Sequence, residues 1–200
     1  NKIVVDFLFA VRPMDIELRD SDPRELLREL ADFIAPEAEQ AGVGIETHFA
    51  EDSPRVLLDR RYMKQAILNL AKNAIAAMPE GGKLSLGLSS KDDLVRISVS
   101  DTGLGIPPEV ISKIFEPYYT TKETGTGLGL TITFKIVREH RGEITVDSAP
   151  GKGSVFTITL PVPQREQKFL PPPSSPSTEA AKGDVRAASA ASSETPKKRG

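Results

Sequence analysis

The chain has 200 residues, 38% of them apolar, with 26 basic and 28 acidic side chains, 2 histidines and no cysteine. Enough apolar surface is present for a buried core, disulfides and thiolate metal sites are excluded, and no apolar run approaches the roughly 20 residues of a membrane span. From Arg165 to Gly200 the chain is mostly Pro, Ala, Ser and charge, with 7 basic and 4 acidic residues, and the residues before it carry 19 against 24, a net charge of −5 that gives no electrostatic footprint for DNA or RNA.

In chain order, Ile3, Val4, Phe7, Leu8 and Val11 stand at helical spacing until Pro13 breaks the pattern, so residues 1–13 read as the end of a longer helix. The chain starts at Asn1 rather than Met, and reads as a piece of a parent whose anchor, if it has one, lies upstream. MDIEL, residues 14–18, reads as a short strand. Asp22 and Pro23 mark the cap and first position of a helix with Leu26, Leu27, Leu30 and Phe33 as its buried stripe. GIETHFA and PRVLLD read as strands paired around the acidic turn EDS. A long helix follows over Arg60–Met78, and then KLSLGLSS and DLVRISVSD alternate as a hairpin about KDD. PEVISKIF reads as a short helix, EPYYTTKETGTGLGL as a loop rich in Gly and Thr, and TITFKIVREHRG as a helix leading into two strands joined by PGKG. Strands and helices mix without strict alternation, which predicts a two-layer α/β (α+β) sandwich of one mixed sheet under three main helices. Residues 164–200 form a low-complexity tail that cannot bury enough apolar surface to fold.

Three places carry chemistry. Asp101 ends a strand in which Val95, Ile97 and Val99 share its parity, so its carboxylate points into the apolar layer and needs donors there. Gly103 and Gly105 follow, leaving room for a flat group to approach the backbone, although a capping aspartate in a tight turn has the same local sequence. On the long helix, Met63, Ala66, Ile67, Leu70, Ala74 and Ala77 form the core stripe, with Asn69 and Asn73 one turn apart along its edge and Lys72 on the solvated side. Two poor helix formers at that border are either half-exposed polar residues or amide oxygens for a hard cation such as Mg2+. GTGLGL, from Gly125 to Leu130, opens a helix and suits an anion, although a glycine triplet alone is weak evidence and the spacing is not a Rossmann signature.

In this order, with IFEPYYTTK between the second and third, these elements closely resemble the catalytic, ATP-binding domain of bacterial two-component sensor histidine kinases, in the GHKL superfamily with the Bergerat fold. NLAKNAIAAM is similar to the N box, DTGLGI to the first glycine box, IFEPYY to the F box, GTGLGL to the second glycine box and GKGSVF to the last turn. The similarity runs over about Met14–Pro161 and is nearest in wording to the nitrogen-regulatory branch. It implies ATP and Mg2+, with Asp101 accepting the exocyclic amine of adenine and Asn73, helped by Asn69, holding the cation and acting in catalysis. It also implies that Gly127, Leu128, Gly129 and Leu130 cradle the phosphates under a lid from about Tyr118 to Thr126. Gly103, Gly105, Ile106, Tyr119, Thr120, Thr121, Gly125 and Thr157 would complete the pocket. Ala76 stands where many members carry Lys or Arg, so Lys122 would supply that charge to the γ-phosphate.

The same resemblance implies partners: a helical dimerisation and phosphoacceptor domain of the same protein, which would be a homodimer, and the receiver domain of a response regulator. It places the domain in the cytoplasm, with the parent anchored in the inner membrane or free. Hydrolytic members carry a glutamate where this chain has Asn69, so hydrolysis is expected to be slow. His48 is expected to face solvent and His140 to sit at a helix C-terminus favoured by the dipole, and neither lies in a phosphoacceptor box. The alternative is an ATPase of the same superfamily, or a protein-serine kinase or anti-sigma-type module that gates a partner.

Overall fold

The computed structural model describes residues 14–120 and 125–163. The expected helix end at 1–13 and tail at 164–200 lie outside the described residues. Among the described residues seven strands and four helices follow one another: β1 (Arg19–Ser21), α1 (Pro23–Gln40), β2 (Val43–Phe49), β3 (Val56–Leu58), α2 (Arg60–Ala76), β4 (Gly82–Lys91), β5 (Leu94–Asp101), α3 (Pro108–Ile111), α4 (Gly129–Glu139), β6 (Glu143–Ser148) and β7 (Ser154–Pro161). Five strands make a mixed sheet in the order β2-β4-β5-β7-β6, and β1 and β3 pair separately. Only the β2–β4 pair is parallel in that sheet.

The sheet is sided by period two. Leu84, Leu86 and Leu88 lie opposite Asp101, Val99 and Ile97, which in turn face Ser154, Phe156 and Ile158. All nine are buried, and α1, α2 and α4 add Leu26, Leu27, Leu30, Ile34, Met63, Ile67, Leu70, Ile132 and Ile136 to the same core. The opposite parity is polar, with Ser85, Ser98, Ser100, Thr157 and Thr145 in register across four strands. This is the expected two-layer sandwich.

Four local expectations are corrected. MDIEL is not a strand: the Glu17 amide donates to Asp59 Oδ2 at 3.1 Å instead of entering a ladder, and pairing starts at Arg19 opposite Leu58. GIETHFA and PRVLLD do not pair with each other. Alternation marks a strand but not its partner, and β2 lies parallel on β4, from Val43 opposite Gly82 to Phe49 opposite Leu88, while β3 takes β1. Phe33 is 59% exposed and Ile34 takes its place in the α1 stripe, leaving the Phe33 ring under the Lys64 ammonium, 5.3 Å from its centroid. PEVISKIF also keeps only one helical turn.

The expected cap at Asp22 holds, and the structure adds one at Asp59. Asp22 Oδ1 accepts from the Arg24 amide at 2.8 Å, and Asp59 Oδ1 accepts from Arg61 and Tyr62 at 3.0 and 3.3 Å at the start of α2. His48 is exposed beside Glu46, as expected. His140 is structural but not a cation. It is 2% exposed, its Nε2 accepts from the Asp59 amide at 2.9 Å and its Nδ1 donates to the Ile136 carbonyl at 2.7 Å. Both bonds fit the neutral ring, and burial pushes its pKa down against the pull of Asp59 and Ile136.

A pH dependence follows from the sign of that shift. Below about pH 6.5 the unfolded chain takes up a proton that the fold resists, so stability is full above that pH and is lost as pH falls toward the lowered value. Denaturant midpoints between pH 7.5 and 5.5 should fall more steeply for the wild type than for His140→Gln, by at most about 1.4 kcal/mol per pH unit. Equal slopes would assign the acid sensitivity to other groups.

Candidate functional site

Helix α2 is the strut on which the chemistry-bearing residues meet. Its core side buries Met63, Ala66, Ile67, Leu70 and Ala74 as expected, with Ala71 and Ile75 added, while Ala77 is half-buried at the C-cap. Asn69 and Asn73 are both half-buried at the border of that side. Asn69 Nδ2 donates to the Gly129 carbonyl at 3.2 Å, tying α2 to the start of α4. The bond uses the amide nitrogen, not the oxygen that a hard cation takes. Lys72 is exposed and paired with Glu37 at 3.0 Å.

At its other end α2 meets the loop after β5. The Leu104 amide donates to the Ala77 carbonyl at 3.0 Å, one turn beyond Asn73. Asp101 is 6% exposed on the inner face of β5. Its Oδ1 accepts from the Gly103 amide at 2.9 Å, and Ser154 lies opposite it in register on the same buried face. Burial pushes the Asp101 pKa up and the Gly103 and Ser154 donors pull it partly back. A desolvated carboxylate so placed is a strong acceptor for any further N–H group.

The glycines of this loop serve the chain itself. A Cβ on Gly103 would lie 2.3 Å from the Ala77 carbonyl oxygen, and one on Gly105, at φ +70°, 2.0 Å from that of Ala149. At both positions the place of a Cβ is taken by the chain's own backbone. Gly153, in a segment that reads as a plain turn, lies so close to Asp101 that a Cβ would meet its carbonyl oxygen at 1.9 Å. Ile106 is half-buried against the core, and its amide donates to Ser148 Oγ at 2.8 Å.

The second glycine stretch opens α4. Leu128 is the N-cap, 1% exposed, and its side chain makes no capping hydrogen bond, a helix start of the kind that serves an anion. Gly129 has ordinary room beside Asn69, and Leu130 packs partly against the core. Gly127 at φ +67° and Tyr118 at φ +66° close on each other, the Tyr118 amide donating to the Gly127 carbonyl at 3.0 Å. Tyr119 is half-buried, and Thr120 and Gly125 are exposed. Thr121 and Lys122 lie outside the described residues. Thr131 Oγ1 donates to the Phe115 carbonyl at 3.1 Å, holding the IFEPYY segment to α4.

Thr157 is not brought to this group. It pairs with Ser98 and Thr145 on the outer face of the sheet, away from Asp101. The residue that meets the carboxylate is Ser154, whose parity with Phe156, Ile158 and Leu160 marks it as an inward polar side chain on an apolar face. Among the described residues no group of three or more His, Cys, Asp or Glu is placed to hold a metal.

The histidine kinase-, DNA gyrase B-, and HSP90-like ATPase family matches residues 58–164. The chain belongs to that family. It is 38% identical to sporulation kinase E of Bacillus subtilis (strain 168), over 84% of this chain and 23% of the relative. Its structure matches full-length ShkA in complex with AMPPNP, with a TM-score of 0.74, 32% identity, and 80% and 35% of the two chains covered. The nucleotide-free catalytic domain of the histidine kinase ThkA matches with a TM-score of 0.67 and 35% identity, covering 72% of this chain and 95% of that one. ThkA in complex with the response regulator TrrA matches with a TM-score of 0.70 and 32% identity, over 80% and 46%. The chain is thus a histidine kinase catalytic ATPase domain that spans about a quarter of the length of sporulation kinase E. No helix among its described residues is long and apolar enough to cross a membrane.

Proposed function

We propose that this domain binds ATP with the adenine amine on Asp101, holds the Mg2+-bound phosphates between Asn69, Asn73 and the start of α4, and transfers the γ-phosphoryl to a histidine. The acceptor is an imidazole in a helical dimerisation domain of the parent protein, a homodimer, and the phosphoryl group then passes to an aspartate of a response regulator. The reaction places the domain in the cytoplasm.

The observation that carries this reading is the double attachment of α2. Its C-cap holds the loop of a buried carboxylate, and Asn69 holds the first residue of a helix whose N-cap residue, Leu128, makes no side-chain capping bond. A purine amine and a phosphate chain need those two functions on one frame. Guanine presents an acceptor where adenine presents the amine, so the buried carboxylate would reject GTP.

The donor set fits Mg2+: two carboxamide oxygens are hard ligands, and this ion takes few protein ligands and completes its shell with water and phosphate. Asn73 and Asn69 would hold it, and once bound it neutralises charge on the phosphates. In the transfer the bond from the γ-phosphorus to the bridging oxygen breaks, a phosphorus–nitrogen bond forms and ADP leaves. Lys122 is proposed to supply the positive charge missing at Ala76.

Mixing this chain with a separately made helical histidine domain and γ-labelled ATP should put acid-labile label on the histidine. Nucleotide binding without any label on the histidine would remove the kinase reading and leave a nucleotide-gated module.

A further inference from the structure

Behind the carboxylate stands a second hydroxyl. Ser148 ends β6, is half-buried, and lies opposite Ser154 in register. Its Oγ accepts from the Ile106 amide at 2.8 Å and lies 2.8 Å from the Gly153 carbonyl oxygen and 3.0 Å from Ser154 Oγ. A hydroxyl has one proton to give. The Gly153 carbonyl and the Ser154 oxygen therefore compete for it.

Ser154 tips that competition because it stands opposite Asp101 in register on the buried face, where its hydroxyl acts as a donor that pulls the carboxylate's pKa down. An oxygen that donates to a carboxylate becomes a better acceptor, so donation from Ser148 completes a run in which each group polarises the next: Ile106 amide, Ser148, Ser154, Asp101. The run ends on a buried anion, where aligned donors count most. With Ser148 turned to Gly153 instead, the Ser154 hydroxyl loses its backing and is freer to leave the carboxylate.

We propose that Ser148 is a positioning residue for adenine recognition: it holds the Ser154 hydroxyl on Asp101 and thereby fixes which carboxylate lone pair is offered to the purine amine. Ser148 does not touch the nucleotide. The inference rests on the assignment of the adenine amine to Asp101, and it goes beyond that assignment by naming what orients the acceptor.

The test compares ATP with purine riboside triphosphate, which lacks the exocyclic amine, by titration calorimetry on the full chain with Mg2+. Ser148→Ala should weaken ATP about 5- to 10-fold and shift the purine riboside compound less than about twofold, so the preference for the amine shrinks. Ser148→Thr, which keeps the hydroxyl, should restore it. Ser154→Ala should shrink the preference too, and the double variant should lose little more. An equal loss for both nucleotides, or none, would overturn the proposal and leave Ser148 as a staple for the Ile106 loop. Asp101→Ala separates the two layers. If it leaves the preference for the amine intact, the adenine assignment itself fails, and with it the proposal. If it abolishes the preference while Ser148→Ala does not change it, only the role of Ser148 fails. Should Ser148→Ala not fold, Ser148→Cys keeps the volume and donates weakly, and it is read by the same two outcomes.

Discussion

Asp101→Ala should bind ATP about 10- to 100-fold more weakly than the wild type, the worth of a hydrogen bond to a charged acceptor, and Asp101→Asn should do no better. The asparagine matches the shape, yet if its oxygen keeps the Gly103 amide, its NH2 meets another donor where the purine amine would come. Stability should move little in either variant, because the relieved burial of a charge offsets the donors left unpaired at Gly103 and Ser154. Titration of labelled ATP, with thermal melting of the same samples, separates the two effects. Affinity unchanged in Asp101→Ala would show that the carboxylate only ties its own loop.

Acid should act on the same group in two opposite ways. Since the folded-state pKa of Asp101 is raised by burial, its protonation adds to stability, a contribution fully present below the ordinary aspartate pKa and lost as pH rises through the raised value. Nucleotide binding goes the other way. Protonation removes an acceptor, so ATP affinity should start to fall at a higher pH than an ordinary aspartate would produce, while Asp101→Ala binds with no such dependence.

Asn73→Ala should cut phosphoryl transfer to a supplied histidine domain about 100-fold or more, the scale of losing a positioning ligand at the reacting phosphate. Binding measured in EDTA should stay within about twofold, because the base end is intact. Asn69→Ala should behave differently. It also severs the link to Gly129, so it should weaken nucleotide with and without Mg2+. Matching Mg2+ dependence in wild type and Asn73→Ala would remove the asparagine from the metal site.

Most elements were legible in the sequence because their signals are local. Asp22 caps its helix through its own next residues, and the parity of Val95, Ile97 and Val99 sets the direction of Asp101. Strand partners were not legible. Nothing within GIETHFA tells it to lie on β4 and not on β3, since its partner stands more than 30 residues further along the chain. Glycine is ambiguous for a related reason: a missing Cβ beside a ligand and one beside the chain's own carbonyl leave the same letter, and at Gly103 and Gly105 a carbonyl of the chain lies where the Cβ would be. Thr157 was assigned by its neighbours in the motif when its parity already put it outside, and Ser154 was missed although its parity put it in. His140 was read from its helix end alone, while burial against Asp59 decides its charge.

β5 is the middle strand of five, bonded along its length to β4 on one side and β7 on the other, whereas Tyr118, Gly125 and Gly127 sit on a connecting stretch and Gly129 on a helical turn whose N-cap makes no side-chain capping bond. A nucleotide held across both ends would meet, at its base, a strand fixed from both sides and, at its phosphates, a turn tied to the frame by the Asn69–Gly129 bond. Severing that one bond should therefore free the triphosphate to swing while adenosine keeps its anchorage.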